Sequence, residues 1–192
     1  MNKNNLWLIF LFFLILLIIL SCRTAEFGHE SININGMIYD FSNRPVPNCG
    51  ISIGTKYKTH TDINGRFTIV KVPAGTYIAE TQKPGFETWF EEITITEFGQ
   101  IIYIRIPSQS QLLSLVDDAL TSGDLDIAEE YAERAYRINS RNAEMLFYYA
   151  AVKFRQGEYE KAISTLEFAM ESGAKDPCFG KFLNALKELQ NE

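Results

Sequence analysis

Residues 61–77 read TDINGRFTIVKVPAGTY, and this stretch decides the fold of the first half of the chain. Asp62 is placed to cap its own turn by accepting backbone N–H bonds, and Asn64-Gly65 supplies the positive-φ positions of a tight hairpin. Beyond the turn, Phe67, Ile69 and Val72 are expected to point inward from a strand. Gly75 follows Pro73 at the entry to the next strand, where Tyr77 and Ala79 also face inward. The Tyr77 hydroxyl needs a partner of its own. Read as a calcium loop, Asp62-Ile63-Asn64-Gly65 lacks the further acidic positions and the terminal Glu, so the turn reading is favoured.

Working outward, apolar and β-branched runs alternate with turn residues on both sides. Strands are expected at 32–39, 50–53, 57–61, 66–70, 76–82, 88–95 and 101–106. Asn43-Arg44-Pro45, Pro73-Ala74-Gly75, Lys83-Pro84-Gly85 and Phe98-Gly99 punctuate them. Seven short strands with no helical period call for a small antiparallel β-sandwich over residues 32–107.

Several of these pieces recur together in a known family. Ile34-Asn35-Gly36 with Asp40, Arg44-Pro45-Val46-Pro47, Thr61 to Phe67, Val72 to Tyr77 and Pro84-Gly85-Phe86 resemble the carboxypeptidase regulatory-like domain. The resemblance implies a transthyretin-like, seven-stranded sandwich that serves as an accessory module. It implies no peptidase activity.

After Pro107-Ser108 the pattern becomes helical. Leu112, Gly123, Ala128, Glu133 and Ala135 recur 34 residues later as Leu146, Gly157, Ala162, Glu167 and Ala169. Gly123 and Gly157 suit the left-handed residue that ends one helix before the next, and the alanines suit close helix crossings. This period resembles the tetratricopeptide repeat, with copies at 109–142 and 143–176 and a capping helix from Pro177 to about residue 190. The first copy departs from the pattern at Val116 and Ser140. The fold class expected is therefore α+β in two segregated domains, a sandwich followed by a helical hairpin array of about five helices. Two repeats are few for a solenoid, so the array is expected to lean on the sandwich, to form a homo-oligomer, or to be modestly stable. The direct join at Pro107-Ser108 favours the first.

At the start of the chain an apolar run from Leu6 to Leu20 follows a short n-region with Lys3. Fifteen residues suit a signal-peptide core and fall short of a bilayer span. Ile19-Leu20-Ser21-Cys22 resembles the lipobox of bacterial lipoproteins, which implies cleavage after Ser21 and lipidation of Cys22. Two or more acyl chains anchor stably where one is marginal. Residues 1–21 are then the signal peptide and 22–31 a tether. The expected location is the cell membrane or outer membrane, with the domains in the periplasm or outside the cell. Arg23 in place of an acidic retention signal tilts this toward the outer membrane.

The net charge of −6 argues against a nucleic-acid surface. His29 and His60 are isolated and no CxxC occurs, so no metal or other cofactor is expected. Pairing of Cys49 with Cys178 stays open at this level. GxSxG, HExxH and phosphate-loop motifs are missing, so no catalytic residues are assigned. The acidic residues Asp117-Asp118 and 124–130 read as a solvated helix face.

The resemblance to helical repeats places partner-binding residues on the concave face at Leu113, Asp117, Leu120, Phe147, Ala151, Phe154 and Arg155. The competing reading has Leu113, Phe147 and Phe154 packing against the sandwich. In the strand run Phe86-Glu87-Thr88-Trp89-Phe90, alternation puts Phe86 and Phe90 on one face and Trp89 on the other. Trp89 is then a glycan or partner contact, or a core or edge aromatic of the sandwich. The function expected is a non-catalytic lipid-anchored envelope adaptor binding a protein or peptide. The alternatives are a glycan- or peptidoglycan-binding accessory lipoprotein and an accessory subunit of an envelope complex.

Overall fold

The computed structural model describes residues 31–96 and 101–190, so Cys22, the expected signal peptide and most of the expected tether lie outside the described residues. Seven strands come first: β1 (Ser31–Tyr39), β2 (Gly50–Ile53), β3 (Tyr57–His60), β4 (Arg66–Pro73), β5 (Gly75–Gln82), β6 (Phe90–Ile95) and β7 (Ile101–Arg105). They form two sheets, ordered β4-β1-β7 and β3-β2-β5-β6. Five helices follow: α1 (Gln109–Ser122), α2 (Leu125–Ile138), α3 (Ala143–Arg155), α4 (Tyr159–Glu171) and α5 (Pro177–Gln190). Sandwich-then-helices matches the fold class expected from sequence.

Alternation builds the sandwich core. Ile34, Ile38, Phe67, Ile69, Val72, Ile102, Ile104 and Ile106 from one half face Ile51, Ile53, Ala79 and Ile95 from the other. Val72 lies inward three residues after Ile69 because Lys71 takes a left-handed φ of 57°. That extra residue on β4 lies opposite Asn33, whose side-chain oxygen accepts from the Lys71 amide at 3.3 Å.

Two local expectations need correction. Asp62 does cap its turn, accepting from the Asn64 and Arg66 amides at 2.8 Å each. The turn is nevertheless not a hairpin, because β3 and β4 belong to different sheets and the segment rounds the corner between them. Of Asn64-Gly65 only Gly65 has positive φ. The second correction concerns direction. The sandwich is antiparallel except for one pair, since β7 runs parallel to β1 with Ile102 opposite Gly36. The chain reaches β7 from β6 in the other sheet, so no tight turn forces the strands to oppose.

A buried Asp40 stabilises the β1–β2 connection. Its carboxylate accepts from the Ser42 and Arg44 amides and pairs with the Arg44 guanidinium at 2.8 Å. Burial opposes the charge, yet these bonds outweigh it and hold Asp40 below the usual aspartate value. Tyr77 finds its partner in the Pro73 carbonyl, 3.0 Å away.

The helices carry their start and stop signals where the repeat requires them. Ser108 opens α1 with a reciprocal capping box to Gln111, and Asn142 caps α3 through the Met145 amide. Gly123 and Gly157, one repeat apart, have φ of 83° and 81°, the left-handed geometry that closes α1 and turns the chain after α3. Inside, Leu112, Ala135, Leu146, Ala150, Ala162, Leu166 and Leu186 form a core separate from that of the sandwich. Gln109 ties the first helix to the end of the second, donating to the Ala135 and Asn139 carbonyls at 2.8 and 3.0 Å. Among the described residues, no helix is long and apolar enough to cross a membrane.

The array leans on the sandwich, through polar contacts. Arg134 of α2 makes a two-pronged ion pair with Glu87, at 2.9 and 2.8 Å, and stacks its guanidinium 6.0 Å from the Phe41 ring centre. The Glu87 amide donates to the Pro107 carbonyl, the Gln109 amide to the Gly85 carbonyl, and Gln111 to the Ser42 hydroxyl. The hydrogen bond to Glu87 raises the Arg134 pKa further against the opposing effect of burial.

Candidate functional site

The sequence places partner-binding residues on the first helix of each repeat, α1 and α3, and the structure divides that set. Leu113 is 2% exposed and belongs to the helical core, which removes it from a binding surface. Phe147 and Phe154 are half-buried, and what covers them is neither a free groove nor the sandwich. Phe147 lies 5.4 Å from Phe179 and 5.6 Å from Phe182, and Phe154 lies 5.7 Å from Phe182, all on the capping helix. A two-repeat array has no third repeat to bury that face, so α5 fills the place with two aromatic rings.

What remains accessible is a narrower strip. Leu120 and Ala151 are half-buried, while Asp117 and Arg155 are exposed. Asp117 also holds Tyr148 of α3. Burial first, then the Asp117 charge and hydrogen bond, raise the pKa of the Tyr148 phenol. The result is an apolar strip of Leu120, Tyr148 and Ala151 with one acid and one base beside it.

Sequence reasoning missed Lys153. It occupies the repeat position where the first copy has Ala119, and its residue is 3% exposed. Its ammonium ion pairs with Glu129 of α2 and donates to Gln156 and Glu158 at 3.1 Å each, while Gln156 donates to Glu129 at 2.7 Å. Burial opposes the charge, but the Glu129 and Glu158 bonds prevail and raise the Lys153 pKa. The sequence signal was a cation in a largely apolar helix, which the structure turns toward Glu129 of α2 and Glu158 of the turn before α4. Its role here is to bolt α2 to α3 and the following turn.

On the sandwich, strand β6 begins at Phe90 and not at 88, so alternation does not run through Phe86. Phe86 and Trp89 both pack against the sandwich core, while Phe90 is 73% exposed. The expected pairing of Phe86 with Phe90 on one face is therefore corrected. Trp89 is a half-buried edge aromatic, and its neighbour Phe90 is the ring that meets solvent. Cys49 is buried in the sandwich and Cys178 exposed on α5, both as free thiols. Burial pushes the Cys49 thiol up from its ordinary value. Among the described residues, no three His, Cys, Asp or Glu side chains gather as a metal site.

Residues 33–102 match the carboxypeptidase regulatory-like domain, and residues 119–186 match a tetratricopeptide repeat. The chain carries these two modules in that order. Neither is a catalytic module, and a tetratricopeptide-like array points to binding of another protein. No curated protein matches the chain. Among solved structures it is similar to a type II cohesin–X-dockerin complex from Acetivibrio cellulolyticus, at 22% identity and TM-score 0.37, covering 40% of this chain and 58% of that one. It is similar to a putative carbohydrate binding protein from Bacteroides uniformis at 12% identity and TM-score 0.36, covering 41% and 42%. Catechol 1,2-dioxygenase from Acinetobacter sp. ADP1 is similar at 9% identity and TM-score 0.36, covering 44% and 55%. The chain spans less than two thirds of each.

Proposed function

We propose that this protein is a non-catalytic, lipid-anchored adaptor of a bacterial cell envelope that binds a protein or peptide through its helical repeats. Cys22 is the lipidated residue in this reading, and the sandwich and array stand on the outer side of the membrane that holds it. The observation that carries the binding half is the strip of Leu120, Tyr148 and Ala151, left open between Asp117 and Arg155 after α5 has covered Phe147 and Phe154. An apolar stripe with opposite charges beside it suits an extended segment or amphipathic helix of a partner. Interface energy concentrates in such aromatic and Arg positions, here Tyr148 and Arg155.

A photo-crosslinking residue placed at Ala151 in intact cells tests this. One discrete adduct is expected, identifiable by mass spectrometry, and Arg155→Glu should abolish it. Failure to form an adduct at Ala151, or an adduct indifferent to Arg155→Glu, removes the repeats as the binding element. The anchor is tested separately by the intact mass of the mature chain. A chain that retains residues 1–21 and a free thiol at Cys22 ends the lipoprotein reading.

A further inference from the structure

The outer face of the second sheet contains a continuous trough that the adaptor reading does not use. Strand β2 lies between β3 and β5 and turns Gly50 and Ser52 outward, with Gly54 in the turn that follows, where neighbouring strands carry longer side chains. A floor of two glycines and a serine is lower than its walls. His60 and Lys58 of β3 stand on one side, Gln82 and Glu80 of β5 on the other, in register with Gly50 and Ser52. Three depressions along this floor run into one another, the first sharing Gly50, His60 and Gln82 with the second, which shares Ser52 and Glu80 with the third. The first is a cleft of about 890 Å³ that reaches the domain junction, where Arg137 and Ile138 of α2 form its far wall. Phe90, cross-strand partner of Glu80, stands 73% exposed beside it.

We propose that this trough binds a linear oligosaccharide. Three features select that chemistry. First, both edges of β2 are fully paired, so the floor offers a ligand no backbone N–H or C=O groups. A peptide strand gains its affinity by adding to a sheet edge, and this is the middle of a face. Second, the side chains of Ser52, His60, Gln82 and Asn48 make no hydrogen bond or ion pair with other described residues. A hydroxyl, an imidazole and carboxamides can each offer both donors and acceptors, the same mixture that sugar hydroxyls present. An apolar ligand would strip water from these groups and leave them unpaired. Third, an exposed aromatic ring beside a polar floor gives the C–H face of a pyranose something to rest on. The clamp between Glu87 and Arg134 holds the helical wall of the cleft in place, so the trough is preformed.

The experiment uses the full chain in detergent micelles, titrated by calorimetry with chitohexaose, cellohexaose, xylohexaose and maltohexaose. Saturable binding to at least one is expected. Phe90→Ala and Ser52→Leu should each weaken binding about fivefold or more, as truncating an anchor or filling its pocket does, with unchanged circular dichroism. Cys178→Ser, on the last helix, should leave it as it is. No binding across the four sugars overturns the proposal, and so does binding that survives both substitutions. Neither result bears on the crosslink at Ala151, so the two readings stand or fall separately.

Discussion

Phe147→Ala tests whether the capping helix closes the array as the structure shows. In the native chain the Phe147 ring sits edge-on to Phe179 at 5.4 Å and tilted against Phe182 at 5.6 Å, with Tyr148 at 6.4 Å. Removing a fully buried Phe costs about 3–5 kcal/mol, and a half-buried ring keeps part of its surface in water, so a loss of about 2–3 kcal/mol is expected. For a folded unit of this size that lowers Tm by roughly 4–12 °C. Urea unfolding followed by far-ultraviolet circular dichroism measures the loss directly. Combining the change with Phe179→Ala isolates the contact itself. The double variant should fall short of the sum of the singles by about 0.5–1.5 kcal/mol, the coupling typical of an aromatic pair. A single-variant loss below about 0.5 kcal/mol, or additivity within about 0.3 kcal/mol, would refute the packing of α5 on this ring. It would also return Phe147 to the list of residues free to meet a partner.

Three further outcomes follow from particular contacts. Arg134→Met removes the two-pronged pair with Glu87, whose side chains are only 21% and 25% exposed. A loss of about 1 kcal/mol, the upper end for such pairs, should come with faster proteolysis near the Pro107 junction. Gly36→Ala places a Cβ 2.2 Å from the Phe67 ring and 2.6 Å from the Ile102 carbonyl oxygen. Strands β4 and β7 hem it in on both sides, so chemical denaturation should show about 2 kcal/mol or more lost. Finally, Asp40 and Glu129 both have folded pKa values held below their ordinary 3.8 and 4.5. For Glu129 the cause is the Lys153 bond first and the Gln156 bond second. A depressed folded value contributes stability that is present above the unfolded value and lost as pH falls through the folded one. Denaturation midpoints should therefore be flat near neutrality and drop below about pH 4.5, and Asp40→Asn should flatten that drop.

The residues differ in how much of their placement is local. Strand β2 at 50–53 was legible because β-branched residues alternate with small ones between turn signals, and that periodicity is a property of adjacent residues. Gly123 and Gly157 were legible for the same reason, since a left-handed turn between two helices needs that residue type whatever surrounds it. Asp62 was legible as a cap, yet the turn it caps proved to be a corner between sheets. The hydrogen bonds of a turn span a few residues, whereas the sheet each flanking strand joins depends on partners far along the chain.

By itself, then, the order of residues determined which segments are strands and which are helices, and that two modules follow one another. Only the tertiary structure decided which side chains remain wet. It sank Leu113 and Lys153, covered Phe147 and Phe154 with a helix some thirty residues away, and exposed Phe90 in place of Trp89. It also paired Arg134 with Glu87 across 47 residues and opened the trough over Gly50 and Ser52. The physical reason is that secondary structure is set by short-range torsional and hydrogen-bond preferences, while exposure is set by whatever surface arrives from elsewhere in the chain.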